Sequence, residues 1–329
     1  MKKNNLNLVT LGGGGGSETV LRGLKKYFSN LVALVSTADN GGSAGRLRKE
    51  LGGFSVGDMR QCLIALASED KKKLAEYMGY RFEEGSLQGH NAGNILLAGL
   101  EKTTGDFEEA LRIMESVLAC EGKVLPITTK PTNLVVQLKD GGIIKGESSI
   151  YESQILDERG VADIFLNPAM EISQSAKETI EKADVIVICP GNLYASILSC
   201  LLPQGVREAF QQSRAKVILV VNLINQEKQT DHMRADDYVN WVEQKIGLGR
   251  VNYAIVHKNV LPVALERLRI RAEENKSGNY KLILADVAGQ LTEYSAHDAL
   301  AALRSRIKHD PNKRSEEHTS ELQSRQVIS

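Results

Sequence analysis

Short apolar runs alternate with polar, glycine-rich turns along most of the chain. The runs at 6–11, 31–35, 184–189 and 216–224 are almost continuously apolar, which is typical of strands buried on both faces of a parallel sheet. Apolar residues at helical spacing follow most of these runs. The pattern predicts an α/β protein with a Rossmann-like, doubly wound and mostly parallel sheet.

The middle of the chain, at about 121–156, has a different pattern. Apolar segments lie at 124–127, 134–138 and 143–144, and an Asp-Gly pair at 140–141 separates the last two. An Asp-Gly pair between alternating apolar runs is a strong hairpin signal. We therefore predict an antiparallel β-hairpin insertion within a single α/β domain that spans residues 1–313.

The end of the chain differs in character from the rest. Residues 314–329 follow Pro311 and show no apolar periodicity. The stretch 314–324 also resembles the translation of a common sequencing-library adapter. We predict a disordered, non-native tail here, and a natural polar tail is the alternative.

Composition narrows the possible partners. The 329 residues carry 41 basic and 41 acidic side chains, so no overall charge attracts nucleic acid. No apolar run approaches the ~18–20 residues of a membrane helix, and the first residues lack a secretory signal pattern. The four cysteines are far apart and form no C-x-x-C pair, as expected of reduced thiols in a cytoplasmic protein. A homodimer is expected from base rates alone.

Two glycine-rich loops follow the first two predicted strands. Glycines between a strand and a helix let the backbone approach a phosphate, and the helix N-terminus adds unpaired N–H groups. In the second loop, Arg46 offers a forked donor for phosphate, and Asp39 could bind a ribose hydroxyl or a metal ion. Tight turns and a solvated helix face are the alternatives. The candidate ligand-binding residues are Gly12, Gly13, Gly14, Gly15, Gly16, Ser17, Asp39, Asn40, Gly41, Gly42, Ser43 and Arg46.

Two further loops begin predicted helices. Asp58 and Arg60 stand at the start of one helix, and a capping role explains Asp58 equally well. Arg60 is unfavourably placed relative to the helix dipole, which indicates an anionic partner. His90 and Asn94 stand at the entrance of another helix. A single histidine without a second ligand at helical spacing makes zinc binding there improbable.

Two more candidate loops follow the later strands. Ligands of open α/β sheets bind at the carboxyl ends of strands, where Gly191, Asn192, Tyr194 and Ser196 follow the run at 184–189. Asn222 follows the next strand. Ser196 does not lie in a G-x-S-x-G elbow, so it is not predicted to be a nucleophile.

The order and spacing of these loops resemble the gluconeogenesis-factor family. This is the YvcK-like branch of the superfamily that includes the 2-phospho-L-lactate transferases (CofD-like, UPF0052-type). The resemblance runs from about residue 7 to about residue 260. It is carried by the glycine-rich loop and by the motifs at 39–43, 57–63, 89–94, 190–194 and 222–231.

The resemblance implies a Rossmann-like fold that binds a nucleotide-containing ligand. In the YvcK-like branch the ligand is a UDP-sugar such as UDP-N-acetylglucosamine, and the role is control of carbon flow into cell-wall synthesis and cell shape. In the transferase branch, a guanosine-diphospho-activated phospholactate is passed to a deazaflavin precursor. Asp39 would then anchor Mg²⁺, Arg46 would stabilise charge and His90 could act as a base. Asn40 stands where a second Asp is common in the family, so we predict no metal site outside the transferase hypothesis.

Three functional hypotheses follow. The leading one is a nucleotide-sugar-binding regulatory protein without catalytic turnover, whose protein partner the sequence does not identify. The alternative is a transferase acting on a nucleotide-activated substrate. A nicotinamide-dependent oxidoreductase fits poorly, because Ser17 takes the place of the last glycine of the G-x-G-x-x-G pattern.

Overall fold

The computed structural model describes residues 3–38, 40–259, 269–272 and 279–288. Asp39 and the tail at 314–329 lie outside these described residues. The strands are β1 (Asn4–Gly12), β2 (Phe28–Val35), β3 (Lys123–Pro126), β4 (Asn133–Leu138), β5 (Ile143–Lys145), β6 (Val161–Asn167), β7 (Val185–Ile188), β8 (Lys216–Val220), β9 (Tyr253–His257) and β10 (Lys281–Ala285).

Helices cover both faces of the large sheet. They are α1 (Gly14–Leu24), α2 (Gly42–Leu51), α3 (Gly57–Leu66), α4 (Lys72–Gly79), α5 (Ala92–Thr104), α6 (Phe107–Val117), α7 (Glu147–Tyr151), α8 (Leu156–Arg159), α9 (Gln174–Glu181), α10 (Val206–Gln212) and α11 (Ala235–Ile246). A π-helical turn at Leu193–Ile197 follows β7. None of the helices in the described part of the chain has the length and apolar character that crossing a bilayer requires.

The large sheet has seven parallel strands in the order β10-β9-β8-β7-β1-β2-β3. The chain builds outwards from β1 in one direction and from β7 in the other. β1 and β7 are neighbours in the sheet, and their pairing extends from the pair Leu8–Val185 to the pair Leu11–Ile188. The order of the strands reverses between them, so this is the switch point of the topology. Ligands of such sheets bind in the crevice at the carboxyl ends of the strands at this point. The predicted doubly wound α/β fold is confirmed.

The alternation of side chains along β1 explains the layers. Val9 and Leu11 are buried in the apolar cluster on one face of the sheet. Leu8 is buried in the cluster on the other face, with residues of α1, α3 and α6. Successive side chains of a strand point to opposite faces, so the nearly continuous apolar run of β1 fills both layers.

The antiparallel insertion is confirmed with corrected boundaries. β4 and β5 form the predicted hairpin, with Val136 opposite Ile144. The prediction that 124–127 belongs to this insertion was wrong, because β3 is a short edge strand of the large sheet, parallel to β2. The insertion also contains β6, which pairs with β4 and was not predicted.

The four cysteines are free thiols. Cys62, Cys189 and Cys200 are buried. Burial raises the pKa of Cys62 well above its usual value and the pKa values of Cys120 and Cys200 to about 12. Because the thiolate is the reactive form, we expect slow labelling by a thiol reagent at pH 8 in the native protein and four equivalents in guanidinium. A thiol that reacts rapidly in the native protein would contradict this assignment.

Candidate functional site

The glycine-rich loop lies at the switch point and is packed closely on three sides. A Cβ added at Gly16 would collide with the carbonyl oxygen of Pro190, and one at Gly13 would lie 3.0 Å from Oγ of Ser196. At Gly15, by contrast, an added Cβ would meet nothing within 4 Å. Gly16 therefore requires glycine because its obstacle is a backbone atom, Gly13 is confined by the side chains of Asp58 and Ser196, and Gly15 faces open space.

Asp58 faces the start of α1 rather than capping its own helix. α3 begins after Val56, so Asp58 is the second helical residue and the capping alternative is wrong. Its Oδ1 would lie 2.5 Å from a Cβ added at Gly14. A carboxylate here is favourable because the N-termini of α1 and α3 both carry partial positive charge. It also covers part of the loop that the sequence assigned to phosphate.

Two buried polar atoms at this loop lack a partner. Oγ of Ser17 and Oε1 of Gln61 make no hydrogen bond with any described residue. The Ser17 oxygen would lie 2.8 Å from a Cβ added at Gly12, and Gln61 approaches Gly14. Buried polar groups in folded proteins are normally hydrogen-bonded, so these atoms are suited to a ligand or water. Gln61 was missed, although its position one turn after Asp58 was a usable signal.

The loop after β7 is held by two side-chain amides. Asn222 accepts a hydrogen bond from N of Gly191 (2.9 Å) and donates one to its carbonyl oxygen (2.6 Å). Asn192 accepts from N of Ala195 (2.9 Å) and donates to Oε1 of Gln229 (2.7 Å). Both predicted ligand residues therefore use their amides within the protein, where they shape the loop.

The other two predicted residues of this loop, Tyr194 and Ser196, lie within the π-helical turn and have different surroundings. Ser196 is half-buried and packs against Gly13 and Gly191. Tyr194 is buried in the hydrophobic core, edge-on to Trp241 with ring centroids 5.7 Å apart. Burial raises the pKa of Tyr194. The predicted ligand contact of Tyr194 therefore has no support from its placement, because its ring is used in core packing.

A buried polar network joins three of the predicted loops. Oγ of Ser43 accepts hydrogen bonds from N of Asn91 (3.1 Å) and Nδ2 of Asn94 (3.3 Å). It lies 3.2 Å from Nδ1 of His90. Nε of Arg60 donates to Oδ1 of Asn94 (2.7 Å). The network thus links the starts of α2, α3 and α5, and all five residues are buried.

The hydrogen bonds of Ser43 favour one direction for its contact with His90. Ser43 has two acceptor lone pairs, and the two asparagines use them. This favours donation of the Ser43 proton to Nδ1 of His90, with the ring proton on Nε2. A serine hydroxyl and an imidazole nitrogen are therefore paired in the buried network.

Four helices begin around this network without a side-chain cap. They are α1, α2, α3 and α5, which begin after Gly13, Gly41, Val56 and Asn91. Asp106 caps α6 and Ser173 caps α9, each by accepting a backbone hydrogen bond. Since α4, α7, α8 and α10 also begin without a side-chain cap, the distinguishing feature here is that four such N-termini lie around one network. Uncapped N-termini leave N–H groups available to an anion.

The second glycine-rich loop is tied to the insertion. Asn40 accepts a hydrogen bond from N of Ser148 (3.0 Å), which joins this loop to α7. Gly42 has φ +53°, which favours glycine, and an added Cβ there would meet nothing within 4 Å. Arg46 is exposed, and its Nη2 donates to the carbonyl oxygen of Gln88 (3.3 Å).

Gln229 is a buried residue that sequence reasoning missed. Its Nε2 donates to the carbonyl oxygens of Ile150 (3.0 Å) and Tyr151 (2.6 Å). Its Oε1 accepts from Asn192. This one side chain therefore connects the insertion to the loop after β7. Across the residues that the structure describes, no group of three or more His, Cys, Asp or Glu is arranged to hold a metal ion.

The fold and this site define a Rossmann-like α/β protein with four helix N-termini and a buried polar network gathered near the switch point of its sheet. Residues 8–293 match the family model described as 2-phospho-L-lactate transferase CofD. The chain belongs to this family.

Relatives within the family carry a second description. A protein of Halalkalibacterium halodurans named "Gluconeogenesis factor" is 42% identical over 259 residues, which is 78% of either chain. A crystal structure of a Bacillus halodurans protein has a TM-score of 0.84 and 35% identity, covering 95% of this chain and 99% of that one. With a Clostridium acetobutylicum relative, the identity is 37% over 263 residues, or 79% of this chain and only 58% of that protein.

Proposed function

We propose that the chain binds a nucleoside diphosphate sugar, such as UDP-N-acetylglucosamine, at the switch point between β1 and β7. It would act in the cytoplasm as a regulatory protein that links carbon metabolism to cell-wall synthesis and cell shape. The observation that carries the binding proposal is the group of four uncapped helix N-termini around the Ser43 network. The naming of relatives as gluconeogenesis factors supports the metabolic role.

The geometry favours one placement of the diphosphate. Asp58 already covers part of the α1 N-terminus, so a phosphate directly beside it would be repelled. Gly42 and Gly15 have open space, and Arg46 is exposed on the first turns of α2. We therefore place the diphosphate over the start of α2, where backbone N–H groups and a guanidinium can both donate to it.

The test is a thermal shift with UDP-N-acetylglucosamine, UDP, GDP and NAD. A ligand at a hundredfold excess over its Kd adds about 2.7 kcal/mol to stability, which gives a readable rise in Tm. We expect a rise with the UDP-sugar that Arg46→Ala reduces and Lys49→Ala, an exposed control on the same helix, leaves unchanged. An equal response of the two variants would argue against the placement, and no response to any UDP-sugar would argue against the function.

A transferase is the second candidate, because the matching family model is described as a 2-phospho-L-lactate transferase. Such chemistry requires mainly positioning and charge neutralisation of the phosphoryl group. It predicts product from guanosine-diphospho-phospholactate, the deazaflavin acceptor and Mg²⁺. A thermal shift with GDP but not UDP would favour this candidate.

A further inference from the structure

A second polar cleft lies beside the candidate site, on the outer side of α1 and α3. It has a volume of about 600 Å³, within the range of small-molecule sites. Residues of α1, α3, α4 and the segment before α5 line it. It is lined by five basic side chains (Arg22, Lys25, Arg60, Lys72 and Arg81) and three acidic ones (Glu18, Glu69 and Glu76).

Arg60 supplies the main argument for a ligand. Its side chain is 8% exposed, and Nε is its only nitrogen that is hydrogen-bonded to a described residue. The two terminal nitrogens keep four N–H donors toward the cleft that Arg60 lines. No described carboxylate forms an ion pair with Arg60. The terminal nitrogens of Arg60 are not among the fully buried unpaired atoms of the described residues, so they are accessible from the cleft and can donate to an anion there.

Arg81 lines the same cleft and lies close enough to Arg60 for its charge to act on that guanidinium. The backbone of Arg81 pairs with that of Asn91, three residues before the Asn94 that holds Arg60. Its Nη1 donates to the carbonyl oxygen of Gly89 (2.6 Å), and it too lacks an ion pair within the described ranges. Burial and the charge of Arg81 both lower the pKa of Arg60. Two close cations that repel each other form an environment suited to a shared anion.

Two other cations of the cleft already have a carboxylate partner. Arg22 pairs with Glu18 at 3.0 Å, and Lys72 lies 4.0 Å from Glu69. Lys25 donates to the carbonyl oxygen of Ala67. Arg60 and Arg81 are the two guanidinium groups of the lining without a carboxylate ion pair among the described residues, while the charges of Glu18 and Asp58 act on Arg60 from a greater distance. Glu76 and the Asn91 side of the cleft offer acceptors that suit hydroxyl groups.

We propose that this cleft is an effector site for a small phosphomonoester that carries hydroxyl groups, with its phosphate held between Arg60 and Arg81. The cleft is larger than a phosphate alone requires, and its mixed lining suits a polar organic body. The bidentate guanidinium geometry matches phosphate oxygens. The cleft shares Arg60, Gln61 and Asn91 with the candidate site, whereas Arg81 and the rest of its lining lie outside that site.

The position of Arg60 also gives the cleft a regulatory consequence, which rests on the proposed function. Arg60 bonds to Asn94, and Asn94 bonds to Ser43 at the start of α2, where we place the nucleotide diphosphate. An anion that draws on the Arg60 guanidinium would change how firmly Asn94 holds Ser43. Binding at one site would then change affinity at the other, and the effect must be reciprocal.

The experiment uses the full chain with inorganic phosphate and glycerol phosphate as probes, and glycerol as the uncharged control. Calorimetric titration gives Kd for wild type, Arg81→Gln and the control Arg112→Gln, an exposed arginine that pairs with Glu109 on α6. We expect glycerol phosphate to have a lower Kd than inorganic phosphate. Arg81→Gln should raise the Kd of each probe about tenfold, because it removes one charge-assisted hydrogen bond to the phosphate. Arg112→Gln should match wild type.

The titration is repeated with UDP to separate the two proposals. Saturating glycerol phosphate should change the Kd of UDP at least about fivefold in wild type and not in Arg81→Gln. Equal phosphate binding by wild type and Arg81→Gln would overturn the cleft proposal, since the phosphate would then sit elsewhere. An Arg81-dependent phosphate site in a protein that binds no UDP or UDP-sugar would support the cleft and refute the proposed function. Arg81-dependent binding without any effect on UDP affinity would refute the coupling.

Discussion

Replacing Gly16 with alanine is expected to destabilise the fold severely, whereas the same change at Gly15 is expected to be harmless. The methyl group at Gly16 would collide with the backbone carbonyl of Pro190, and a backbone atom cannot rotate away as a side chain can. Either α1 or the loop after β7 must move. Overpacking costs about 1–3 kcal/mol, and a clash with backbone belongs at the upper end, so we expect a loss of about 3 kcal/mol in the free energy of unfolding.

The matched variant, Gly15→Ala, tests the same backbone one residue away. Its methyl group enters open space, and alanine in a helix is favoured over glycine by about 0.5–1 kcal/mol. Urea unfolding of both variants and wild type is the measurement. Similar losses for the two variants would contradict the packing role assigned to Gly16. Because Gly15 is the open position, weaker UDP-sugar binding by a stable Gly15→Ala protein would indicate that the ligand reaches α1.

The sequence predicted four of the strands that fill two layers of the structure. β9 also fills two layers, with Ala254 and Val256 on one face of the sheet and Ile255 on the other, but no strand was predicted there. β1, β2, β7 and β8 were found because burial on both faces makes their residues almost uniformly apolar. β3 has only four residues and ends at Pro126, so its pattern is the same in a hairpin and at a sheet edge, where proline is tolerated. Only the pairing with β2 distinguishes them, and pairing is a long-range property that local periodicity does not encode.

In the candidate site, too, local signals were predicted and long-range contacts were not. Asp58, Arg60, His90 and Asn94 were found because polar residues at helix starts are a local signal. Their assembly depends on Ser43, which contacts residues 47 to 51 positions further along the chain, and no local pattern reports such a contact. Asn222 and Asn192 were predicted to contact a ligand because they are polar residues at strand ends. Their hydrogen bonds instead hold the loop after β7 in place.

Gln229 illustrates the limit of motif comparison. It lies in a segment that the sequence analysis recognised only as part of the 222–231 motif, yet its amide joins α7 of the insertion to Asn192. A glutamine in a loop is ordinarily solvated. Its importance arises from complete burial and from carbonyl groups that the folded chain brings around its Nε2.

Gln229→Glu is expected to destabilise the protein by about 3–5 kcal/mol near pH 7, the cost of an uncompensated buried charge. The carboxylate would face the carbonyl oxygens of Ile150, Tyr151 and Ser153, to which Nε2 now donates. Only the hydrogen bond from Asn192 would survive. Removing the Gln229 donors also leaves carbonyl groups at the junction with the insertion without their partner.

The pH dependence of Gln229→Glu distinguishes the effect of the buried negative charge from the effect of losing the amide hydrogen bonds. Burial and the surrounding carbonyl oxygens raise the pKa of the introduced carboxyl above its unfolded-state value of about 4.3. Between the unfolded-state and the folded-state pKa, the carboxyl is ionised in the unfolded protein but still protonated in the folded protein. The free energy of unfolding of the variant therefore falls as pH rises from the unfolded-state pKa to the folded-state pKa. The deficit relative to wild type should therefore widen from pH 5 upwards, by at most about 1.4 kcal/mol per pH unit, until the folded-state carboxyl is ionised.

Two controls complete the measurement. Gln229→Met removes the hydrogen bonds without adding a titratable group, so its deficit should not depend on pH. Gln212→Glu adds the same carboxyl at an exposed position on α10 and should stay within about 0.5 kcal/mol of wild type. Urea unfolding at pH 5, 6, 7 and 8 compares the three variants. A pH-independent deficit in Gln229→Glu would mean that water reaches this position, and the amide would then not be the buried connection between α7 and the loop after β7.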